Sequence, residues 1–113
     1  MAKKTQKAVK PIKKNDPDLF DLIRKSIEVG NYVFTNHATQ RSGQRAILQI
    51  TVLDILEGKS GYKRRRNKRK DQYEVGELDW RYCIEGVDVD GQKIRVIVTF
   101  EDGLMPIITV MWI

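Results

Sequence analysis

Arg81-Tyr82-Cys83-Ile84-Glu85-Gly86-Val87-Asp88-Val89-Asp90-Gly91-Gln92-Lys93-Ile94-Arg95-Val96-Ile97-Val98-Thr99-Phe100 sets two strand-like runs on either side of an Asp-Gly pair. Asp-Gly at the centre of a short connection supplies the positive φ that tight hairpin turns need. Ile94, Val96, Val98 and Phe100 recur at every second position, the spacing that puts side chains on one face of a strand. Arg81–Val87 and Lys93–Phe100 are therefore predicted as successive antiparallel strands. Further out, Glu101-Asp102-Gly103 marks a second turn before a strand over Pro106–Ile113, and Gln72–Val75 reads as a strand upstream. A sheet with one apolar face needs cover, and helices from the first half of the chain can provide it.

Those helices are marked by their ends. Asn15 or Asp16 can cap a first helix with Pro17 in its opening turn. Leu19, Phe20, Leu22, Ile23, Ile27 and Val29 form its apolar stripe, and Gly30-Asn31 stops it. Tyr32-Val33-Phe34 reads as a short strand leading to a helix capped by Thr35 or Asn36. A third helix is expected from Ile50 to Glu57, ended by Gly58. The fold class is thus α+β: an antiparallel, twisted sheet of four to five strands with two or three helices on one face. A flexible basic tail is expected over residues 1–15, then one domain over 16–113 with a basic loop at 59–70.

The 113 residues suffice for one core, and the 41% hydrophobic content is ordinary for a globular chain. No apolar run approaches the roughly 20 residues of a membrane span, and the lysine-bearing start lacks the apolar segment of a secretory signal. No membrane is expected, and a cytoplasmic location is. With one cysteine, Cys83, and one histidine, His37, the chain offers neither an internal disulfide nor a zinc cluster, and no cofactor is expected.

Charge is unevenly distributed. Of 21 basic residues, 14 lie in residues 1–15 and 59–70, where no acid occurs, leaving 7 against all 15 acids elsewhere. Concentrated cations release counterions from a polyanion, so nucleic acid is the expected partner, against the alternatives of a solubilising tail, an exposed loop or a contact for an acidic protein.

Thr35-Asn36-His37-Ala38-Thr39-Gln40-Arg41-Ser42-Gly43-Gln44-Arg45 spaces His37, Arg41 and Arg45 four residues apart. On a helix such positions share a face, drifting by about 40° per step. Imidazole moves protons near neutral pH and guanidinium grips anionic oxygens, a combination suited to phosphate. The competing structural reading makes the arginines solvated helix positions and His37 a helix-start or packing residue.

From about Ile27 to Ile113 the chain resembles small bacterial domain-of-unknown-function proteins with a RelE-like fold, grouped with the barnase, EndoU, colicin and RelE ribonucleases. The resemblance rests on Tyr32-Val33-Phe34 leading into Thr35-Asn36-His37-Ala38, on Arg41, Arg45 and Ile47, and on Val52-Leu53-Asp54-Ile55-Leu56-Glu57-Gly58. Tyr82-Cys83-Ile84-Glu85-Gly86 and Ile107-Ile108-Thr109-Val110 complete it. It implies the toxin of a type II toxin-antitoxin pair, an endoribonuclease that cleaves RNA without metal, in the manner of an mRNA interferase, and inhibits translation. The partners implied are RNA, including ribosome-bound mRNA, and an antitoxin protein. His37 becomes the general base or acid, Arg41 and Arg45 the phosphate clamp, and Tyr82 and Thr109 second-tier candidates for orientation or proton relay, against the favoured readings of a core aromatic and a strand hydroxyl. Arg81 falls on the opposite strand face from Tyr82, so only one of the two can reach a cleft. Lys63, Arg64, Arg65, Arg66, Lys68, Arg69 and Lys70 are the expected RNA contacts, with Trp80, Trp112, Tyr62 and Tyr73 as stacking surfaces. Two other function classes stay open: a non-catalytic RNA- or DNA-binding protein, and an interaction module that docks an acidic protein.

Overall fold

The computed structural model describes residues 10–113. Helix α1 spans Asp16–Glu28; the Asn15 side chain accepts from the Asp18 amide, Pro17 sits in the first turn, and Leu19, Ile23 and Ser26 are buried. Strand β1 (Tyr32–Phe34) leads into α2 (Asn36–Gln44). Of the two cap candidates, Thr35 is the one that holds α2: its Oγ1 accepts from the Ala38 amide at 3.1 Å and donates to the Ile108 carbonyl at 3.2 Å. Helix α3 covers Gln49–Glu57 and ends on Gly58 at φ 76°. Beyond it come β2 (Lys63–Arg66), a 3-10 turn (Lys68–Lys70), β3 (Tyr82–Val87), β4 (Lys93–Val98) and β5 (Met105–Trp112).

The five strands form one sheet in the order β1-β5-β4-β3-β2. The expected antiparallel pairs β3·β4 and β4·β5 are present, but β1 runs parallel to β5, so the sheet is mixed. That pair joins Tyr32 to Met105, across most of the chain, and no local turn signal announces such a contact. Part of the expected basic loop is a strand: β2 pairs antiparallel with β3 from Lys63↔Val87 to Arg66↔Ile84. Gln72–Val75, in contrast, is reduced to an isolated bridge between Gln72 and Arg81.

One face of the sheet carries the core. Tyr82, Ile84, Ile94, Val96, Val98, Ile107 and Val110 pack with Leu19 and Ile23 of α1, Ala38 of α2, and Val52, Ile55 and Leu56 of α3. Gly86 is needed where β3 passes under α3. A Cβ there would collide with the Ile55 side chain and lie 2.9 Å from the Lys63 carbonyl oxygen. The alternate residues Lys63, Arg65, Cys83, Glu85, Arg95, Ile97, Thr109 and Met111 project from the opposite face, as the registers require.

Residues 1–9 of the expected flexible tail, with Lys3, Lys4 and Lys7, lie outside the described residues. Lys10–Asn15 do not behave as a loose tail. Trp80 Nε1 donates to the Pro11 carbonyl at 2.9 Å, the Lys14 amide donates to Tyr82 Oη at 3.2 Å, and Lys14 Nζ meets Asp79 Oδ2 at 2.5 Å. Lys10 and Lys13 each hold an ammonium 4.5 Å from the Trp80 ring centroid, a cation–π geometry. The segment is a strap across β3 and the loop before it.

Candidate functional site

Beside the uncovered sheet face, His37, Lys70, Gln72, Arg81, Ile97, Ile108 and Thr109 line a groove of about 400 Å³. Five parts of the chain build it: the start of α2, the stretch from Lys70 to Gln72, Arg81, β4 and β5. His37 is the second residue of α2, whose start is fastened to β5 by the Thr35 amide donating to the Ile107 carbonyl at 3.1 Å and by the Thr35 hydroxyl bond to Ile108. Ile108 falls where the β4·β5 register slips, since Ile97 faces Thr109 while Val98 faces Ile107. The extra residue aims Ile108 to the groove side together with Thr109, a common use of a bulge. Gln72 and Arg81 exchange both backbone hydrogen bonds, at 3.0 and 2.7 Å, and Lys70 closes the 3-10 turn.

Arg81 is held from outside the groove. Its Nη2 donates to Glu77 Oε2 at 3.0 Å and lies 3.7 Å from Glu74 Oε1. Arg81 Nε and Glu77 Oε1 are both buried and have no hydrogen-bond partner among the described residues. Both atoms belong to the Arg81–Glu77 ion pair, so the guanidinium, about a third exposed, reaches the groove with part of its charge already offset. The lining therefore combines an imidazole, an ammonium, a guanidinium, a carboxamide and a hydroxyl above two isoleucines. Among the described residues no three His, Cys, Asp or Glu side chains form a metal-ligating group.

The structure separates the residues that the four-residue spacing grouped. Arg41 Nη1 donates to Gln44 Oε1 at 3.1 Å on its own helix, and Arg45 Nη1 donates to the Val110 carbonyl at 2.7 Å, with the Arg45 carbonyl accepting from Trp112 Nε1. Arg45 fastens the end of α2 to β5, and neither Arg41 nor Arg45 is among the residues that line the groove with His37. The reason is the drift of the spacing combined with the backbone acceptors available along β5. Tyr82 lies on the core side, fully buried, with its hydroxyl donating to Asp79 Oδ1 at 2.7 Å. Burial and that bond push its pKa well above the ordinary value, and it does not line the groove. Arg81 is the member of the neighbouring pair that does.

The basic run divides by strand parity. The Arg66 side chain has 0% exposure; its Nη2 meets Asp71 Oδ2 at 2.8 Å, and its Nη1 donates to Asp16 and to the Lys14 carbonyl. Arg64 lies over the Phe20 ring at 4.3 Å and donates to the Leu56 carbonyl at the end of α3. Burial and the nearby Arg24 charge lower its pKa. Arg66 is sealed inside the fold, whereas Arg64, though held against Phe20 and α3, still borders an open depression with Lys63, Arg65 and Lys93. Lys68 pairs with Asp16 at 3.6 Å; Arg69 is exposed; Lys63 and Arg65 face the open side; Lys70 enters the groove. The expected stacking aromatics are engaged elsewhere: Trp80 packs with Tyr73 under Lys10 and Lys13, Tyr62 packs against the core, and Trp112 is bound to Arg45.

Glu85 organises the centre of the open face. It accepts from Arg65 at 2.8 Å, from Arg95 Nε and Nη2 at 3.0 and 2.9 Å, and from Asn67 at 2.9 Å. Burial alone would raise its pKa. The hydrogen bonds from Asn67 and Arg95 and the charges of Arg95 and Arg65 outweigh that effect and bring it below the ordinary value. Cys83, beside it, is fully buried and has its thiol pKa pushed up to about 11 by burial, which keeps it unreactive.

Sequence reasoning singled out His37, Thr109 and Lys70 but missed Gln72, Ile97 and Ile108 as their neighbours. Strand parity was the available signal for Ile97, which alternates with core residues; nothing local marked the bulge at Ile108. The family model described as "Domain of unknown function (DUF4258)" matches residues 34–112, and the chain belongs to that family. The matched span includes every residue lining the groove, while α1 and the strap lie outside it. No curated protein and no solved structure matches the chain.

Proposed function

We propose that this member of the family is a metal-independent endoribonuclease of RelE-like type, the toxin of a type II toxin-antitoxin pair that acts on RNA in the cytoplasm and inhibits translation. The observation that carries the reading is the convergence of His37, Lys70 and Arg81 on one groove at an uncovered sheet face. In the reaction, His37 takes the proton of a ribose 2′-hydroxyl. The freed oxygen bonds to the adjacent phosphorus, the bond to the 5′-oxygen breaks, and the leaving oxygen takes a proton from the Lys70 ammonium. Arg81, always charged, stabilises the crowded phosphorane with its planar fork. Gln72 and Thr109 orient the ribose and a phosphate oxygen. Arg81 thereby takes the phosphate-clamp role expected of Arg41 and Arg45, and Lys70 supplies the acid. The cleaved strand can be ribosome-bound mRNA, and an antitoxin would present acidic groups to the same basic face.

A second reading, a binding protein without catalysis, is favoured by one observation: His37 is the sole imidazole in the chain, so the groove lacks the second one that would pair an acid with a base. Incubation of purified protein with single-stranded RNA in the presence of chelator separates the two. Cleavage is expected for the wild type, with losses of at least about 100-fold for His37→Ala and for Arg81→Ala, the usual scale for a proton-transfer group or an oxyanion donor. Arg41→Ala, which alters a residue outside the groove, is expected to retain activity. Salt-sensitive binding with no product from the wild type, on free RNA and on ribosome-bound mRNA alike, establishes the second reading instead.

A further inference from the structure

We propose that the open sheet face holds a second phosphate subsite at Lys63 and Lys93, which makes the substrate a single strand long enough to span both ends of β3. The inference rests on the assignment of the His37 groove to RNA.

Strand registers arrange the open face in rungs. Lys63, Val87 and Lys93 stand side by side on β2, β3 and β4. The next outward-facing rung is Arg65, Glu85 and Arg95, and the one after it contains Cys83, Ile97 and Thr109 at the His37 groove. Lys63, Arg64, Arg65, Glu85, Val87 and Lys93 are among the residues lining a separate depression of about 350 Å³, its one carboxylate already bound by Arg65 and Arg95. Its two lysines are exposed and have no ion-pair partner among the described residues. Two cations about 10 Å apart, two strand spacings, with an apolar floor of Val87 between them suit a phosphate on each side of a base.

The middle rung permits a continuous path. Glu85 is its one acid, and Arg65 and Arg95 both bind it, so the rung keeps a net positive charge. Six residue steps separate Arg81 from Val87, about 20 Å of strand. At about 3.4 Å per stacked nucleotide, that is about six nucleotides. A single strand is required because the 2′-hydroxyl must turn in line with the leaving oxygen, and an A-form duplex fixes the ribose and phosphate away from that alignment. With no Phe, Tyr or Trp among the residues lining either depression, binding is dominated by phosphate contacts and depends steeply on salt.

The test measures anisotropy of labelled 2′-O-methyl RNA, which lacks the attacking hydroxyl, at four and at ten nucleotides over a series of salt concentrations. The wild type is expected to bind the ten-mer at least tenfold more tightly than the four-mer. Lys63→Gln with Lys93→Gln is expected to erase that difference and to lower the ten-mer salt slope by about 0.7 per lysine. Equal binding of both lengths by the wild type, or a length preference that survives the double substitution, overturns the second subsite while leaving the groove assignment standing. Failure of both lengths to bind overturns the two together.

Discussion

Arg66 shows how far a residue's role can depart from its composition class. It sits in the most basic run of the chain, yet its guanidinium is sealed from solvent between Asp71, Asp16, the Lys14 carbonyl and the Tyr82 ring. Removing one partner of a buried pair leaves the other charge uncompensated, which costs about 3–5 kcal/mol. Arg66→Ala is therefore expected to lower urea stability by that amount, and a loss below about 1 kcal/mol would contradict the buried-pair assignment. The alternation that separates Arg64 and Arg66 from Lys63 and Arg65 was present in the sequence. It was illegible because all four side chains are cationic, and an arginine can bury its stem and plane on either face when partners exist. His37 was legible as the sole imidazole next to a helix cap; the direction of Arg41 and Arg45 was not, because backbone acceptors on β5 are invisible to local spacing.

At the scale of elements, local signals specified local structure. Asn15, Thr35 and Gly58 mark the helix ends as their chemistry requires, and Asp90-Gly91 closes the β3–β4 hairpin. What escaped notice was nonlocal: the parallel β1·β5 pair, the strap of Lys10–Asn15 on Trp80, and the edge strand β2. Strand β2 is fixed to β3 partly through Arg65 and Glu85, which gives the sheet a measurable response to acid. The Glu85 pKa is lowered below 4.5 in the fold. Its contribution to stability is complete above the unfolded-state value and is lost as pH falls through the folded value. Glu85→Gln is expected to be less stable than the wild type at neutral pH, with the gap in urea midpoint narrowing below about pH 4.5. A gap that stays constant from pH 7 to pH 3 would contradict the assigned network.

For the whole molecule, the helices and the strap cover one side of the sheet and leave the other side cationic, with the only histidine at its rim. The groove forms there because β5 carries the start of α2 while the bridge at Arg81 and the turn at Lys70 approach from the far side of β4. Sequence reading could reach the α+β class and the place of His37 at the start of a helix, since each rests on neighbours in the chain, but not the mixed sheet. The groove itself depends on residues from 37 to 109 meeting in space, a matter of topology. The chemistry proposed for it is an imidazole that deprotonates a 2′-hydroxyl beside two cations. The most direct measurement is the chemistry of the new RNA ends: the account predicts a 2′,3′-cyclic phosphate and a 5′-hydroxyl, formed by the wild type and absent with His37→Ala. A 5′-phosphate product, or cyclic-phosphate ends that persist at full yield in His37→Ala, would contradict it.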